Sequence, residues 1–352
     1  MKVQTGAQLS RLTTLRVGGP ARRLIEASDE QEIVEAVREA DAAGDRLLVM
    51  GQGSNLVVAD EGFDGTVVRF DGGGVTVGDA DRVRIDVGAG APWDQVVGWA
   101  VAEGLSGLEC LSGIPGLSGA TPIQNVGAYG QEVAQTIVSV HAYDRKAEAI
   151  VELSPPECGF AYRTSAFKGL DRHVVLRVTF ELERTRLAQP LEYPELARAL
   201  DAELGDRPPL AEVRQAVVRL RRAKGMVLDP ADPDSVSAGS FFLNPLVSED
   251  QMDDVRRRAL DRLGQDVIVP GWPQDDGTVK LSAAWLIERA GFTRGYGSGR
   301  AGISSKHTLA LVNRGGASAE ELVALAQELR DGVREAFGVT LTPEPTLVGV
   351  VL

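Results

Sequence analysis

The residues best suited to chemistry lie in two glycine-rich stretches. The longer runs Gly113-Ile114-Pro115-Gly116-Leu117-Ser118-Gly119-Ala120-Thr121-Pro122-Ile123-Gln124-Asn125-Val126-Gly127-Ala128-Tyr129-Gly130, with five glycines and two prolines in eighteen residues. Such a run cannot be a regular helix or a central strand, yet it is too apolar for a solvated linker. Its backbone polar groups need partners, and a large polar ligand would supply them. The shorter stretch, Gly51-Gln52-Gly53-Ser54-Asn55-Leu56, lets backbone N–H groups approach a phosphate while Ser54 and Asn55 add side-chain hydrogen bonds. Leu56 stands where the nicotinamide-dinucleotide fingerprint requires a third glycine, so a nucleotide fold of that type is disfavoured. Arg219, Arg221, Arg222 and Lys224 form a local basic cluster, readable either as an anion pocket or as a solvated helix face.

Other chemistries find little support. Cys110 and Cys158 are the two cysteines; they make neither a disulfide framework nor a C-x-x-C site, and buried free thiols are expected. His141, His173 and His307 are too few and too scattered for a metal centre, so no metal is expected. A formal net charge of −13 argues against broad phosphate-backbone binding, hence against a nucleic-acid partner. The start of the chain lacks the apolar core of a signal peptide and no run of 18 apolar residues occurs, so a cytoplasmic protein without membrane insertion is expected.

The elements that must hold these stretches can be read from spacing. Residues 28–43 read as a helix, with Ser28 and Gln31 matching a capping box, Ile33, Val34 and Val37 on one face and Gly44 able to end it. The apolar run Leu47–Met50 and the triplet Leu56–Val58 flank the shorter glycine turn as strands; 66–70 and 82–87 alternate like strands. Residues 92–104 look helical. After residue 185 the texture becomes polar and proline-broken, followed by helical patterns at about 210–224 and 249–263. A last helix starts at Ser318, in a capping box with Glu321, and carries the stripe Leu322, Leu325, Leu329, Val333 and Phe337. A chain of 352 residues with 43% hydrophobic and 25% charged residues is globular and calls for two or three packed units.

Six ordered segments together resemble the UDP-N-acetylenolpyruvoylglucosamine reductase (MurB) family: Leu15-Arg16-Val17-Gly18-Gly19-Pro20-Ala21, Gly51 to Leu56, Gly113 to Gly130, Tyr162-Arg163-Thr164-Ser165-Ala166-Phe167, Ala238-Gly239-Ser240-Phe241-Phe242-Leu243-Asn244-Pro245 and Leu341-Thr342-Pro343-Glu344. The resemblance implies an α+β fold: a flavin-binding fold of the PCMH/vanillyl-alcohol-oxidase type with two subdomains, plus a MurB-type substrate-binding domain. The expected ranges are 1–70 and 71–229 for the flavin subdomains, with 336–352 returning to the second, and 230–335 for the substrate domain. It further implies noncovalent FAD, NADPH as hydride donor, and reduction of the enolpyruvyl group of a UDP-sugar to UDP-N-acetylmuramate. That reaction belongs to peptidoglycan precursor synthesis, and so to cell wall biogenesis, cell shape, cell cycle and division. A monomer taking only small-molecule substrates is expected.

The resemblance also assigns residues. Gly51, Gly53, Ser54, Asn55, Leu56, Gly113, Ile114, Pro115, Gly116, Gly119, Asn125, Gly127, Ala128 and Tyr129 would hold the flavin. Arg163 would stabilise the negative charge left on the substrate as hydride arrives, because a guanidinium offers fixed, permanently charged donors. Ser240 would supply the proton, since a strongly basic enolate-like intermediate needs only a well-placed hydroxyl. Glu344 would polarise the substrate carboxylate or orient the donor. Lys224, Asn244 and Tyr193 would contact the sugar nucleotide, Tyr193 from a closing loop. Thr164 replaces an acidic residue of the family pattern, and Pro345-Thr346-Leu347 replaces Val-Arg-Phe. Two other readings compete: an alcohol or lactone oxidase or dehydrogenase of the same fold, and a catalytically silent nucleotide-sugar binder.

Overall fold

The computed structural model describes residues 1–70, 72–77 and 82–352; the expected subdomain edge at residue 71 lies outside the described residues. The chain divides into two compact units. The first holds Met1–Gln8, Pro20–Gly53 and Phe63–Val227; the second holds Leu9–Gly19, Ser54–Gly62 and Leu228–Leu352.

Among the described residues, the first unit contains a two-stranded sheet that pairs Gly127–Ala128 with Gln131–Glu132 and two larger sheets. In one, the strands run in the order Lys2–Gln8, Pro20–Ala27, Phe63–Phe70, Leu47–Met50, antiparallel across the first pair and parallel thereafter. The helix Glu30–Ala42 connects two of its parallel strands and buries Ile33, Val34, Ala36, Val37 and Ala40, matching the expected face. Its cap corrects the sequence reading. Asp29, not Ser28, is the N-cap, with its side chain accepting from Glu32 N–H at 2.8 Å, while Ser28 is bonded to the Glu32 carboxylate rather than to Gln31. The sequence Ser28-Asp29-Glu30-Gln31-Glu32 offers two overlapping frames, and the one that turns the apolar stripe inward prevails. Asp29→Ala is therefore expected to cost about 1 kcal/mol, seen as a fall of roughly 2–4 °C in melting temperature for a domain of about 200 residues. Ser28→Ala should cost less, and the reverse ranking in thermal melts would refute this cap.

The other sheet is antiparallel, in the order Ala149–Leu153, Ile137–Asp144, His173–Arg184, Arg82–Gly88, Val75–Val77, with Leu105–Ser106 also on His173–Arg184. The helix Trp93–Ala102 begins after Pro92, a residue suited to a helix start, and buries Trp93, Val96, Val97 and Ala100 against Val83, Ile85, Val87 and Phe180. Helices Pro194–Ala199 and Leu210–Ala223 share a smaller apolar cluster of Leu196, Leu210, Val213, Ala216 and Val217. Cys110 and Cys158 are buried free thiols; burial raises both pKa values, Cys158 to about 11.

The second unit pairs Ser237–Ser240 with Ala310–Asn313 and that strand with Ala301–Ile303. A parallel pair joins Leu56–Val58 to Thr346–Val348. Its core mixes Leu15, Val17 and Val57 with Phe241, Phe242 and the expected stripe of the last helix, Ala319–Phe337, whose Ser318–Glu321 capping box is formed. Asp60 accepts from Ala319 and Glu320 N–H at the same helix start. The Gly18-Gly19 pair is forced by close approach, since a Cβ on Gly19 would lie 2.0 Å from the Asp60 carbonyl oxygen.

Candidate active-site residues

In the first unit the long glycine segment forms a compact loop: a single 3-10 turn at Ser118–Ala120 and a two-residue strand, Gly127–Ala128. The protein itself satisfies many of its backbone donors, which narrows the expected role of a ligand. Gly113 N–H donates to Asp94 (2.6 Å) and Gly116 N–H to Gln52 (3.2 Å). Ser118 and Gly119 N–H donate to Ala91 and Ala89 carbonyls, both at 2.9 Å. The Gln52 contact brings the Gly51–Gly53 turn onto this loop, and a Cβ on Gly51 would meet Leu117 at 3.1 Å. Ile114 and Pro115 lie half-buried between the two glycines of this turn.

Asn125 has φ +46 and is buried. Its amide donates to Glu132 (2.7 Å) and to the Ala161 carbonyl (3.2 Å), and its oxygen accepts from Ala134 N–H (3.1 Å). This clamp positions Arg163. The Arg163 guanidinium donates to the Asn125 carbonyl (3.3 Å), the Gly127 carbonyl (2.5 Å) and Glu132 (3.1 Å), and a Cβ on Gly127 would come within 2.7 Å of it. Glu132 escaped the sequence reading. Thirty-one residues separate it from Arg163, and no local pattern marks such a pair.

Farther along, Tyr129 meets Tyr193 edge-on with ring centroids 5.4 Å apart, and the Lys224 ammonium lies 5.5 Å from the Tyr129 ring while pairing with Glu195 at 2.6 Å. Tyr193 caps the short helix Pro194–Ala199 and stays exposed. Burial pushes the Tyr129 phenol up to about 12, so it remains neutral near pH 7. The basic cluster is divided. Arg219 and Arg222 are exposed on the helix Leu210–Ala223, whereas Arg221 is buried. Its Nε has no hydrogen-bond partner, and a Cβ on Gly113 would lie 3.6 Å from it.

In the second unit Ser240 ends the strand Ser237–Ser240, next to Gly239 with φ +73. Phe241 N–H donates to Leu309 (2.7 Å), and the Phe241 carbonyl accepts from Glu344 N–H (2.9 Å). Leu243 N–H donates to Thr342 at 3.0 Å. The backbones carrying Ser240 and Glu344 thus run side by side. Asn55 supports the same junction, its amide donating to the Glu344 carbonyl (3.3 Å) and its carbonyl accepting from Thr346 N–H (3.0 Å). The Ser54 carbonyl accepts from Thr14 Oγ1 at 3.4 Å, and Leu56 opens the parallel pair. Asn244 has a structural duty, its oxygen accepting from Ala283 N–H at 3.0 Å. Among the described residues no cluster of three or more His, Cys, Asp or Glu could hold a metal ion, and no helix is long and apolar enough to cross a membrane.

Comparison with known proteins gives the arrangement a family. Residues 21–154 match the FAD binding domain and residues 230–348 match the C-terminal domain of UDP-N-acetylenolpyruvoylglucosamine reductase. A protein of that name from Thermobifida fusca is 57% identical over 98% of this chain and 97% of its own. The chain belongs to the UDP-N-acetylenolpyruvoylglucosamine reductase family. A second family protein, from Streptomyces avermitilis, is 54% identical over 98% of this chain and 95% of its own. The crystal structure of the MurB enzyme from Thermus caldophilus superimposes with a TM-score of 0.66 at 27% identity, covering 99% of both chains. The expected fold class is borne out: α+β, an FAD-binding domain of the PCMH type and a MurB C-terminal domain. The family is one of FAD-dependent oxidoreductases, and this chain is such an enzyme.

Proposed function

We propose that the enzyme reduces UDP-N-acetylenolpyruvoylglucosamine to UDP-N-acetylmuramate with NADPH as hydride donor, in peptidoglycan precursor synthesis in the cytoplasm, and that it works as a monomer. Family membership supports the substrate. The observation that supports the reading is the backbone bond from Glu344 N–H to the Phe241 carbonyl, which sets the chain positions of Ser240 and Glu344 side by side.

The chain's own residues fit FAD. Beside the Gly113 turn lies the buried Arg221, whose Nη2 donates to the Met226 carbonyl at 2.9 Å but whose Nε is unsatisfied; leaving a buried donor unmade is costly, and an anionic dinucleotide would offset that cost. Gly51, Gly53, Ser54, Asn55, Leu56 and the segment from Gly113 to Tyr129 would hold it, noncovalently, since those segments contain no histidine. Held by these residues, FAD would supply hydride transfer between NADPH and the enolpyruvyl carbon. Arg163 then holds the developing negative charge, Ser240 Oγ gives up the proton, and Glu344 orients the reacting groups. Lys224, Asn244 and Tyr193 bind the sugar nucleotide. Residues 1–70 and 71–229, with 336–352, are proposed for flavin and 230–335 for substrate, a division that cuts across the compact units, the second of which takes in Leu9–Gly19, Ser54–Gly62 and all of Leu228–Leu352.

The purified protein is expected to be yellow, to be bleached by NADPH without oxygen, and to recover its colour on adding the enolpyruvyl sugar nucleotide. Colour restored by no substrate would favour a silent binder. Bleaching by an alcohol or lactone would favour an oxidase or dehydrogenase, and loss of all flavin affinity would overturn the proposal.

A further inference from the structure

Glu109 lies in the 3-10 turn Glu109–Leu111 and is fully buried, a costly place for a carboxyl group unless it is thoroughly hydrogen-bonded. Four neutral donors reach it. One oxygen accepts from Gln131 Nε2 (3.0 Å), from Gln189 N–H (2.7 Å) and from Ser106 Oγ (3.4 Å); the other accepts from Gly107 N–H at 2.7 Å. Two of these donors come from separate segments. Gln131 stands two residues after Tyr129, and Gln189 four residues before Tyr193. Gln131 is held from its other end as well, because its oxygen accepts from Cys110 N–H at 2.8 Å. Gln189 Nε2 donates to Ser106 (3.1 Å) and Glu183 (2.9 Å).

The two segments meet closely at one point, where a Cβ on Gly130 would lie 2.8 Å from Glu192 Cβ. Beside them is a cavity of about 360 Å³ lined by Ser106, Cys110, Tyr129, Gln131, Gln189 and Glu192 among others. Packing of Ala188 and Leu191 with Cys110 and Tyr129 therefore leaves part of the space between the segments open, and the hydrogen bonds to Glu109 help to fix their register. We propose that Glu109 is a positioning residue that holds Tyr193, through its edge-on contact with Tyr129, and with it Lys224, for the sugar nucleotide. This rests on the assignment of Tyr193 and Lys224 to that ligand. A buried polar hub of this kind adds little stability over an apolar one of equal volume but fixes a single arrangement.

Glu109→Gln keeps the shape and places an NH2 against at least one N–H donor in either amide orientation. In the flavin-loaded full chain, KM for the enolpyruvyl sugar nucleotide is expected to rise about tenfold, with kcat within about twofold. Amide hydrogen exchange over residues 186–193 should quicken about tenfold in the absence of substrate. Tyr193→Ala should raise KM in the parent but add little to Glu109→Gln, the non-additivity of groups acting as one unit. Unchanged exchange and unchanged KM would overturn the proposal, as would equal losses in kcat and flavin content, the mark of a merely structural role. Should Glu109→Gln not fold, Gln131→Met removes one donor at similar volume and is read by the same exchange. A parent with no turnover would sink the functional reading, yet the exchange result would still decide the role of Glu109.

Discussion

Ser240→Ala is expected to leave an enzyme whose flavin NADPH still bleaches, but whose colour the enolpyruvyl sugar nucleotide no longer restores. The substitution removes one hydroxyl from a half-buried position and spares the backbone bonds that define the junction, Phe241 N–H to Leu309 and Glu344 N–H to Phe241. Folding and flavin content should be preserved. The loss in the second half-reaction should reach about 10²–10⁴-fold, the usual contribution of a positioned proton donor. Ser240→Cys retains a proton on a longer bond and should recover part of it. Stopped-flow absorbance of the two half-reactions separates these outcomes, and normal reoxidation in Ser240→Ala would remove Ser240 from the mechanism. Ser237, whose hydroxyl accepts from Gly239 N–H at 3.2 Å, is the comparison: Ser237→Ala should lower stability with no selective effect on reoxidation.

Arg163→Ala is expected to lose about 10²–10³-fold in turnover, the effect of deleting one preorganised donor to a developing anion, while reduction of the flavin by NADPH changes far less. Arg163→Lys should restore little. A lysine keeps the charge but cannot reproduce a fork that reaches the Gly127 carbonyl, the Asn125 carbonyl and Glu132 together. Those three contacts hold the guanidinium at fixed orientation, which on the proposed assignment would let its charge act without reorganisation at the moment of reaction. Single-turnover rates for each half-reaction, with melting curves alongside, test the assignment; unchanged turnover in a folded Arg163→Ala protein would refute it.

Local rules made much of this legible. The last helix announced itself through Ser318, Glu321 and its stripe, and the strands around Gly51–Gly53 through short apolar runs, because caps and periodicity act over four or five residues. The failures are long-range or degenerate. Ser28 and Asp29 are adjacent capping residues, and burial of Ile33 and Val37 decides between them. The glycine loop looked short of partners because its acceptors, Ala89, Ala91, Asp94 and Gln52, lie 20 or more residues away or on another element. Arg163 with Glu132, and Glu109 with Gln131 and Gln189, are pairings that only the folded sheet and loops create.

The second unit is stitched from three pieces of chain, two of them synthesised long before the third. Segments Leu9–Gly19 and Ser54–Gly62 leave the ribosome at least 166 residues ahead of Leu228 (228 − 62). They must wait for Thr346–Val348 to complete the strand pair with Leu56–Val58 and for the last helix to cover Leu15, Val17 and Val57. A gene fragment starting at codon 228 would therefore encode an unfinished core. This unit closes only once the strand Thr346–Val348 has been made, and a graft between homologues succeeds only by carrying all three pieces together.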